Sequence, residues 1–246
     1  MKAMILAAGY ATRMYPLTLN FPKPLLEIGG STILDRLVED IRPIVDEIIV
    51  VTNHKFAQRF RDWAGDRATV LDDGSLTNET RLGAVRDMLL AARGREDDFL
   101  VMAGDNVLDF SLKSFAAYAA ERGTSCLMRH YEADPERLRK TGVLTVNEVG
   151  RVLEMREKPA QPESCWACPP FYYYIREDLA RLKEALSEGC PADAPGSFAA
   201  WLCRKTTVYA WEMKGRRYDI GSPESYEEVK KMFSRETEDE TCCGKM

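Results

Sequence analysis

Histidine is nearly missing from this chain, with two residues in 246. A reaction built on imidazole chemistry therefore has little to draw on, and His54 and His130, each at a strand end, are expected to pack in the core or face solvent. Long hydrophobic runs are also missing. None approaches the roughly 18 apolar residues needed to cross a bilayer, and the N-terminus offers one lysine, a short apolar stretch and no cleavage pattern, so a cytoplasmic protein without membrane contact is expected. Positive charge is in deficit: Lys and Arg total 34 against 39 Asp and Glu, for a net charge of -5 and a pI near 5.3. Such a field repels nucleic acid and acidic lipid and points to a small-molecule partner. The glycine-rich phosphate motifs G-x-G-x-x-G and G-x-x-x-x-G-K-[ST] are absent too.

Cysteine is neither scarce nor organised. Seven residues, an odd number, are scattered through a chain large enough to hold together without staples. Cys165 and Cys168 form a C-x-x-C, but no second pair stands at zinc-ligand spacing. The closing Cys243-Gly-Lys-Met lacks the aliphatic residues of a prenylation box, and residues 234–246, rich in acids, read as a flexible tail.

With 45% hydrophobic and 30% charged residues, the chain suits one large globular domain. Met4–Ala8, Ile48–Val51 and Phe99–Ala103 are apolar without alternation, as strands covered on both faces are. Ile33, Leu34, Leu37, Val38 and Ile41 make one helical stripe behind Ser31 as N-cap, and Leu82, Val85, Leu89 and Leu90 make another. This β-α-β-α rhythm predicts an α/β fold with a Rossmann-like doubly wound sheet. After about residue 124 the segments Val143–Val146, Arg151–Glu157 and Trp166–Ile175 read as antiparallel strands, making the sheet mixed, followed by a helix over about 176–187. The division expected is a nucleotide half, 1–123, and an acceptor half, 124–233, within a single domain.

The segment AAGYATRMYPLTLNFPKP follows the first strand. In doubly wound sheets ligands bind beyond the carboxyl ends of the strands. Gly9 permits close backbone approach, while Pro16, Pro22 and Pro24 stiffen the excursion. Its only cations, Arg13 and Lys23, offer a planar fork and a point charge suited to polyphosphate oxygens. A merely solvated loop is equally compatible with these residues alone.

The string LAAGYATRMYPLTLNFPKPLL resembles the signature of the sugar-phosphate nucleotidyltransferases, L-A-A-G-x-G-T-R-L-x-P-L-T followed by P-K-P, and AGDN, EKP and YDIGS follow in the family's order. The resemblance implies the nucleotidyltransferase (GT-A-like) fold and a reaction in which a nucleoside triphosphate and a phosphomonoester give a nucleoside-diphospho product and pyrophosphate. It implies Mg²⁺ held by Asp105 and Asp219, whose readings without it are a turn cap and a helix-entry charge. It also implies Lys158 on the acceptor phosphate, Arg13 against the departing pyrophosphate, Lys23 at the α-phosphate, and the backbone of Ala8 and Gly9 at the nucleotide. Gly83 would mark close approach to the base or ribose. Asn78 and Glu79 beside it would contact the nucleotide or cap the next helix.

The reaction joins two mutually repelling anions, so positioning and charge neutralisation are what it asks of the protein. A phosphomonoester is already largely dianionic at neutral pH, and no general base is required.

Two departures bear on the acceptor and the loop. Ala11 replaces the family's second glycine, at a cost of about 1 kcal/mol if the position has positive φ. CWACPPFYYYI places Pro169 and Pro170 where hexose enzymes commonly carry a glycine. Trp166, Phe171 to Tyr174, Trp201, Trp211 and Tyr218 then raise the alternative of a cation-π pocket for phosphocholine in a cytidylyltransferase, against core packing as the other use of such rings. A sugar 1-phosphate and a pyrimidine triphosphate are the leading expectation. A non-catalytic nucleotide sensor and a metal-dependent glycosyltransferase are the readings of other classes, and a homo-oligomer is left open.

Overall fold

The computed structural model describes residues 1–243, with side chains described through residue 233. The three apolar runs form Lys2–Leu6, Glu47–Thr52 and Phe99–Ala103, and the first lies between the other two, parallel to both. Alternate residues of each strand point into different cores. Met4, Ile49 and Val101 pack with Val85, Met88 and Ala91 of the helix Ala84–Ala92. Ala3, Ile48 and Leu100 pack with Leu34, Leu37 and Ile41 of the helix Ile33–Ile41. Burial on both faces is why these runs lack the alternation of a one-sided strand.

Ten strands make one mixed sheet. Thr69–Asp72 extends the parallel part beyond Glu47–Thr52. On the other side Phe171–Tyr174 runs antiparallel to Phe99–Ala103, and beyond it lie Cys126–Tyr131, Trp166–Cys168, Gly142–Val146 and Val152–Glu157. The chain thus leaves Lys2–Leu6 toward one edge and returns to its other flank with Phe99–Ala103. That reversal opens a crevice at the carboxyl end of the first strand, and the loop after Leu6 and Gly104-Asp105 both emerge there.

Several boundaries move. The first helix is capped by Thr32, whose hydroxyl accepts from Asp35 N at 3.0 Å in a capping box, because Ser31 and Thr32 form a short strand against Glu27–Ile28. Leu82 lies outside the second helix, whose buried apolar stripe is Val85, Met88 and Ala91. The expected strand Trp166–Ile175 is two strands, Trp166–Cys168 and Phe171–Tyr174, parted at Pro169-Pro170, since proline cannot donate to a ladder. The helix after it is broken into Arg176–Leu179 and Leu182–Ser187. The last helix runs Pro223–Cys243, so the backbone is helical into the segment read as a tail. The side chains from residue 234 on, and residues 244–246 altogether, lie outside what the structure describes.

Candidate active site

The loop after the first strand is pinned at both ends and in the middle. Asn53 Nδ2 donates to Ala8 O at 3.0 Å, Tyr10 Oη to Ser75 O at 3.0 Å, and Thr18 Oγ1 to Ala11 O at 2.8 Å. Met14 is 1% exposed in a cluster with Ile28, Ile33, Val107 and Tyr226. This anchor fixes the neighbouring Arg13, which is itself exposed. Ala11 has φ 48 and ψ 43, the left-handed conformation that its glycine-to-alanine departure implied would be strained. At Gly9 an added Cβ would meet nothing of the protein within 4 Å, so its backbone stands open to the cleft.

Lys23 is buried. Its Nζ reaches Asp105 Oδ2 at 2.8 Å, with the two side chains 7% and 37% exposed. Pro22 and Pro24 bracket it in a tight turn, Lys23–Leu25, which is how the loop delivers an ammonium to the crevice. Asp105 follows Phe99–Ala103, where Gly104 N donates to Leu6 O at 2.9 Å, and its Oδ1 accepts from Asn106 Nδ2 at 2.9 Å. Asp219 arrives from far along the chain. It ends the short strand Arg217–Asp219, a separate element from the strand Tyr209–Glu212 before it. Arg217–Asp219 pairs antiparallel with Asn106–Leu108, with Asp219 opposite Asn106. Asp219 therefore stands, across a two-stranded ladder, opposite the residue that follows Asp105.

Lys158 ends Val152–Glu157 with φ 47. Its N–H donates to Thr141 O at 3.0 Å. A non-glycine residue held left-handed costs about 1–2 kcal/mol, and the conformation turns the side chain out of the strand direction at the cleft.

Two cavities meet here, of about 410 Å³ and about 680 Å³. Ala8, Gly9, Lys23, Asn78 and Gly83 line the first only; Asp219 lines the second only. Arg13, Asp105 and Lys158 line both, together with Asp193 and Pro195. Ala8, Gly9, Arg13, Lys23, Asn78, Gly83, Asp105, Lys158 and Asp219 thus lie on one continuous double cleft, whereas Glu79 borders neither cavity. Asn78 does not cap the following helix; its Oδ1 accepts from Arg81 Nη1 at 2.8 Å. That helix is capped instead by the Gly83 backbone region, with Val85 N donating to Ala192 O at 2.9 Å.

Other cleft residues were not singled out by the sequence. Asp87 lines the first cavity and is 4% exposed. Burial, with Asp73 adding to it, pushes its carboxyl up to about 7. Glu157, His130 and Arg217 line the second cavity. Burial raises the Glu157 carboxyl, with Lys158 opposing. His130, expected in the core or facing solvent, is a half-buried ring at the wall of the second cavity, where burial lowers its pKa, aided by Arg217. Glu157 stood beside Lys158 in EKP and was findable there; Asp87 was findable as an acid adjoining an apolar helical stripe.

His54 is exposed and bonded to Asp72 through Nδ1 at 2.7 Å. Cys165 is exposed and Cys168 buried, with burial raising the Cys168 thiol well above its ordinary value, and no cluster of three or more metal-ligating side chains occurs among the described residues. The aromatic residues are mainly core. Phe171 and Tyr173 point into one hydrophobic cluster, Tyr172 and Tyr174 into the other. Trp201 and Trp211 are buried, and Arg129 covers Trp166 at 4.1 Å. Of the eight, Tyr172 and Tyr218 line the second cavity.

The UTP–glucose-1-phosphate uridylyltransferase AglF of Haloferax volcanii is 25% identical over 96% of this chain and 98% of that protein. The bifunctional protein GlmU of Methanococcus vannielii is 30% identical over 91% of this chain, which spans 52% of that longer protein. Among solved structures, a UDP-glucose pyrophosphorylase complexed with UDP-glucose superposes with a TM-score of 0.79 at 20% identity, over 96% of this chain and 98% of that one, which establishes the shared fold. The family model described as nucleotidyl transferase matches residues 2–236, and this chain belongs to that family of enzymes.

Proposed function

We propose that this nucleotidyltransferase joins a nucleoside triphosphate, a pyrimidine one by preference, to a sugar 1-phosphate, giving an NDP-sugar and pyrophosphate with Mg²⁺. The carrying observation is that Arg13, Asp105 and Lys158 line both cavities. One cavity would hold the donor, the other the acceptor, and the shared wall is where their phosphates would meet. A phosphate oxygen of the acceptor attacks the α-phosphorus, the bond from that phosphorus to the β-phosphate oxygen breaks, and pyrophosphate leaves; no proton is transferred.

In this reading Lys158 holds the acceptor phosphate, Lys23 faces the α-phosphate, Arg13 offsets charge on the departing pyrophosphate, and Ala8, Gly9, Asn78 and Gly83 contact the nucleotide. Asp105 and Asp219 fit a magnesium ion. The two carboxylates, 37% and 56% exposed and bordering the same cavity, would leave most of the coordination shell to phosphate oxygens and water, as this cation prefers. When bound, the ion would neutralise phosphate charge. The Lys23–Asp105 pair keeps that carboxylate oriented.

A sugar acceptor draws support from Glu157. Its carboxyl enters the second cavity between Gly142 and Gly196, where an added Cβ would stand 3.2 Å and 1.9 Å from Glu157 Oε2. A carboxylate set among glycines suits a polyhydroxylated ligand. The choline alternative loses its support because most of its aromatic residues are committed to the two cores. Pyrimidine preference rests on the relative named for UTP and on the compact first cavity. Pyrophosphate release across a grid of triphosphates and phosphomonoesters tests the assignment: turnover with phosphocholine and none with sugar 1-phosphates would overturn it.

A further inference from the structure

The floor of the nucleotide cavity holds an acid that the catalytic reading does not use. Asp87 sits on the helix Ala84–Ala92, one turn in from Gly83, and adjoins Val85, Met88 and Ala91, all 0% exposed. It is itself 4% exposed. Its Oδ1 is buried with no hydrogen-bond partner, and so is Oδ2 of nearby Asp73, whose other oxygen accepts from Ser75 N and Oγ at 2.7 Å each. A buried carboxyl without a donor is costly to keep. An apolar residue would satisfy packing at this point, as its helix neighbours do.

The remaining use is toward a ligand, and the carboxyl, once ionised, can only accept. Phosphates carry no donor and belong with the cations Arg13, Lys23 and Lys158 of the same cavity. Ribose hydroxyls and base amino groups can both donate, and the amino group is the one that distinguishes the pyrimidines. We propose that Asp87 reads the nucleotide base by accepting hydrogen bonds from an exocyclic amino group, which selects cytosine within the pyrimidine class. Uracil and thymine place a carbonyl oxygen where cytosine carries its amine, and the paired negative charge of Asp87 and Asp73 repels that oxygen. This inference rests on the pyrimidine reading above and gives it a specific base.

The test is calorimetric binding of CTP, UTP, dTTP, GTP, ATP and dCTP, with magnesium chloride and no acceptor, at about pH 8, where the carboxyl is ionised. The wild-type protein should bind CTP at least about tenfold more tightly than UTP. In Asp87→Asn, near-isosteric and free of the buried charge, the ratio should fall below about threefold or invert, because the amide can donate to the 4-oxo group. A purely structural role would weaken all triphosphates alike and leave the ratio unmoved, which overturns the proposal. So do equal wild-type affinities for CTP and UTP, tightest binding of a purine triphosphate, or CTP exceeding dCTP with no preference among bases, the mark of a ribose contact. Should the variant not fold, the wild-type CTP to UTP ratio decides alone. Binding without base discrimination removes this inference and leaves the transferase reading standing; binding of no triphosphate removes both.

Discussion

Adding one methyl group at Gly83 should separate the two halves of the nucleotide floor. Gly83 has φ 89 and ψ 150, a region that costs an alanine about 1–3 kcal/mol. The new Cβ would also lie 2.5 Å from Ala192 O and 2.8 Å from Ala192 C, where ordinary contact begins near 3.4 Å. That carbonyl cannot simply recede, because it accepts from Val85 N at 2.9 Å while Asp193 O accepts from Ala84 N at 3.3 Å. Losing either bond adds about 1 kcal/mol, so Gly83→Ala should cost about 2–4 kcal/mol of stability. Urea denaturation reads this as a lower midpoint at unchanged slope. The same displacement moves Asp193 and Pro195, which border both cavities, so kcat/KM for pyrophosphate release should fall at least about tenfold, roughly 1.4 kcal/mol of transition-state stabilisation. A loss below about 1 kcal/mol with unaltered kcat/KM would refute the claim that this contact positions the floor.

Three further perturbations separate strain from chemistry. Ala11→Gly relieves a left-handed alanine and should raise stability by about 0.5–1 kcal/mol, or about 2 °C in the melting temperature; a lower melting temperature contradicts this. Lys158→Gly should gain a comparable amount while cutting kcat/KM by about 100-fold or more, whereas Lys158→Ala should lose the activity without the gain; retained turnover in either removes Lys158 from the mechanism. The Asp87 carboxyl, ordinarily near 3.8 and here raised to about 7, holds in the folded protein a proton that the unfolded chain has already released between those values. Stability should therefore fall as pH rises through that window, by at most about 4 kcal/mol, and denaturation profiles of Asp87→Asn should show a shallower decline; parallel profiles contradict the burial argument.

The parallel half of the sheet was legible because its strands are apolar on both faces, a pattern that few structures besides a covered strand produce. The loop after the first strand stood out by its three prolines, one glycine and two cations, but those residues alone fit a solvated loop equally well, and its phosphate-binding reading came from the resemblance. The position of Asp219 was not legible. Arg217–Asp219 and Asn106–Leu108 are three residues each, too short for a periodic signal, and they exist because they pair with each other across the chain. The aromatic segment misled for the opposite reason. Phe171 to Tyr174 lie in a strand buried on both faces, so all four rings fill core where a one-sided strand would have presented two to a ligand. Ser31 lost the cap to Thr32 because a local hairpin, invisible to helix rules, takes up the preceding residue.

The central claim is that Asp105 and Asp219, which border the same cavity, serve the transfer of a nucleotidyl group. Pyrophosphate release by the wild-type protein, Asp105→Asn and Asp219→Asn, with magnesium, a pyrimidine triphosphate and a sugar 1-phosphate, tests it directly. The account predicts robust release by the wild type and a loss of about 10³-fold or more in each variant at unchanged melting temperature. Wild-type rates in either variant, or no release by the wild type with any donor and acceptor, would contradict it.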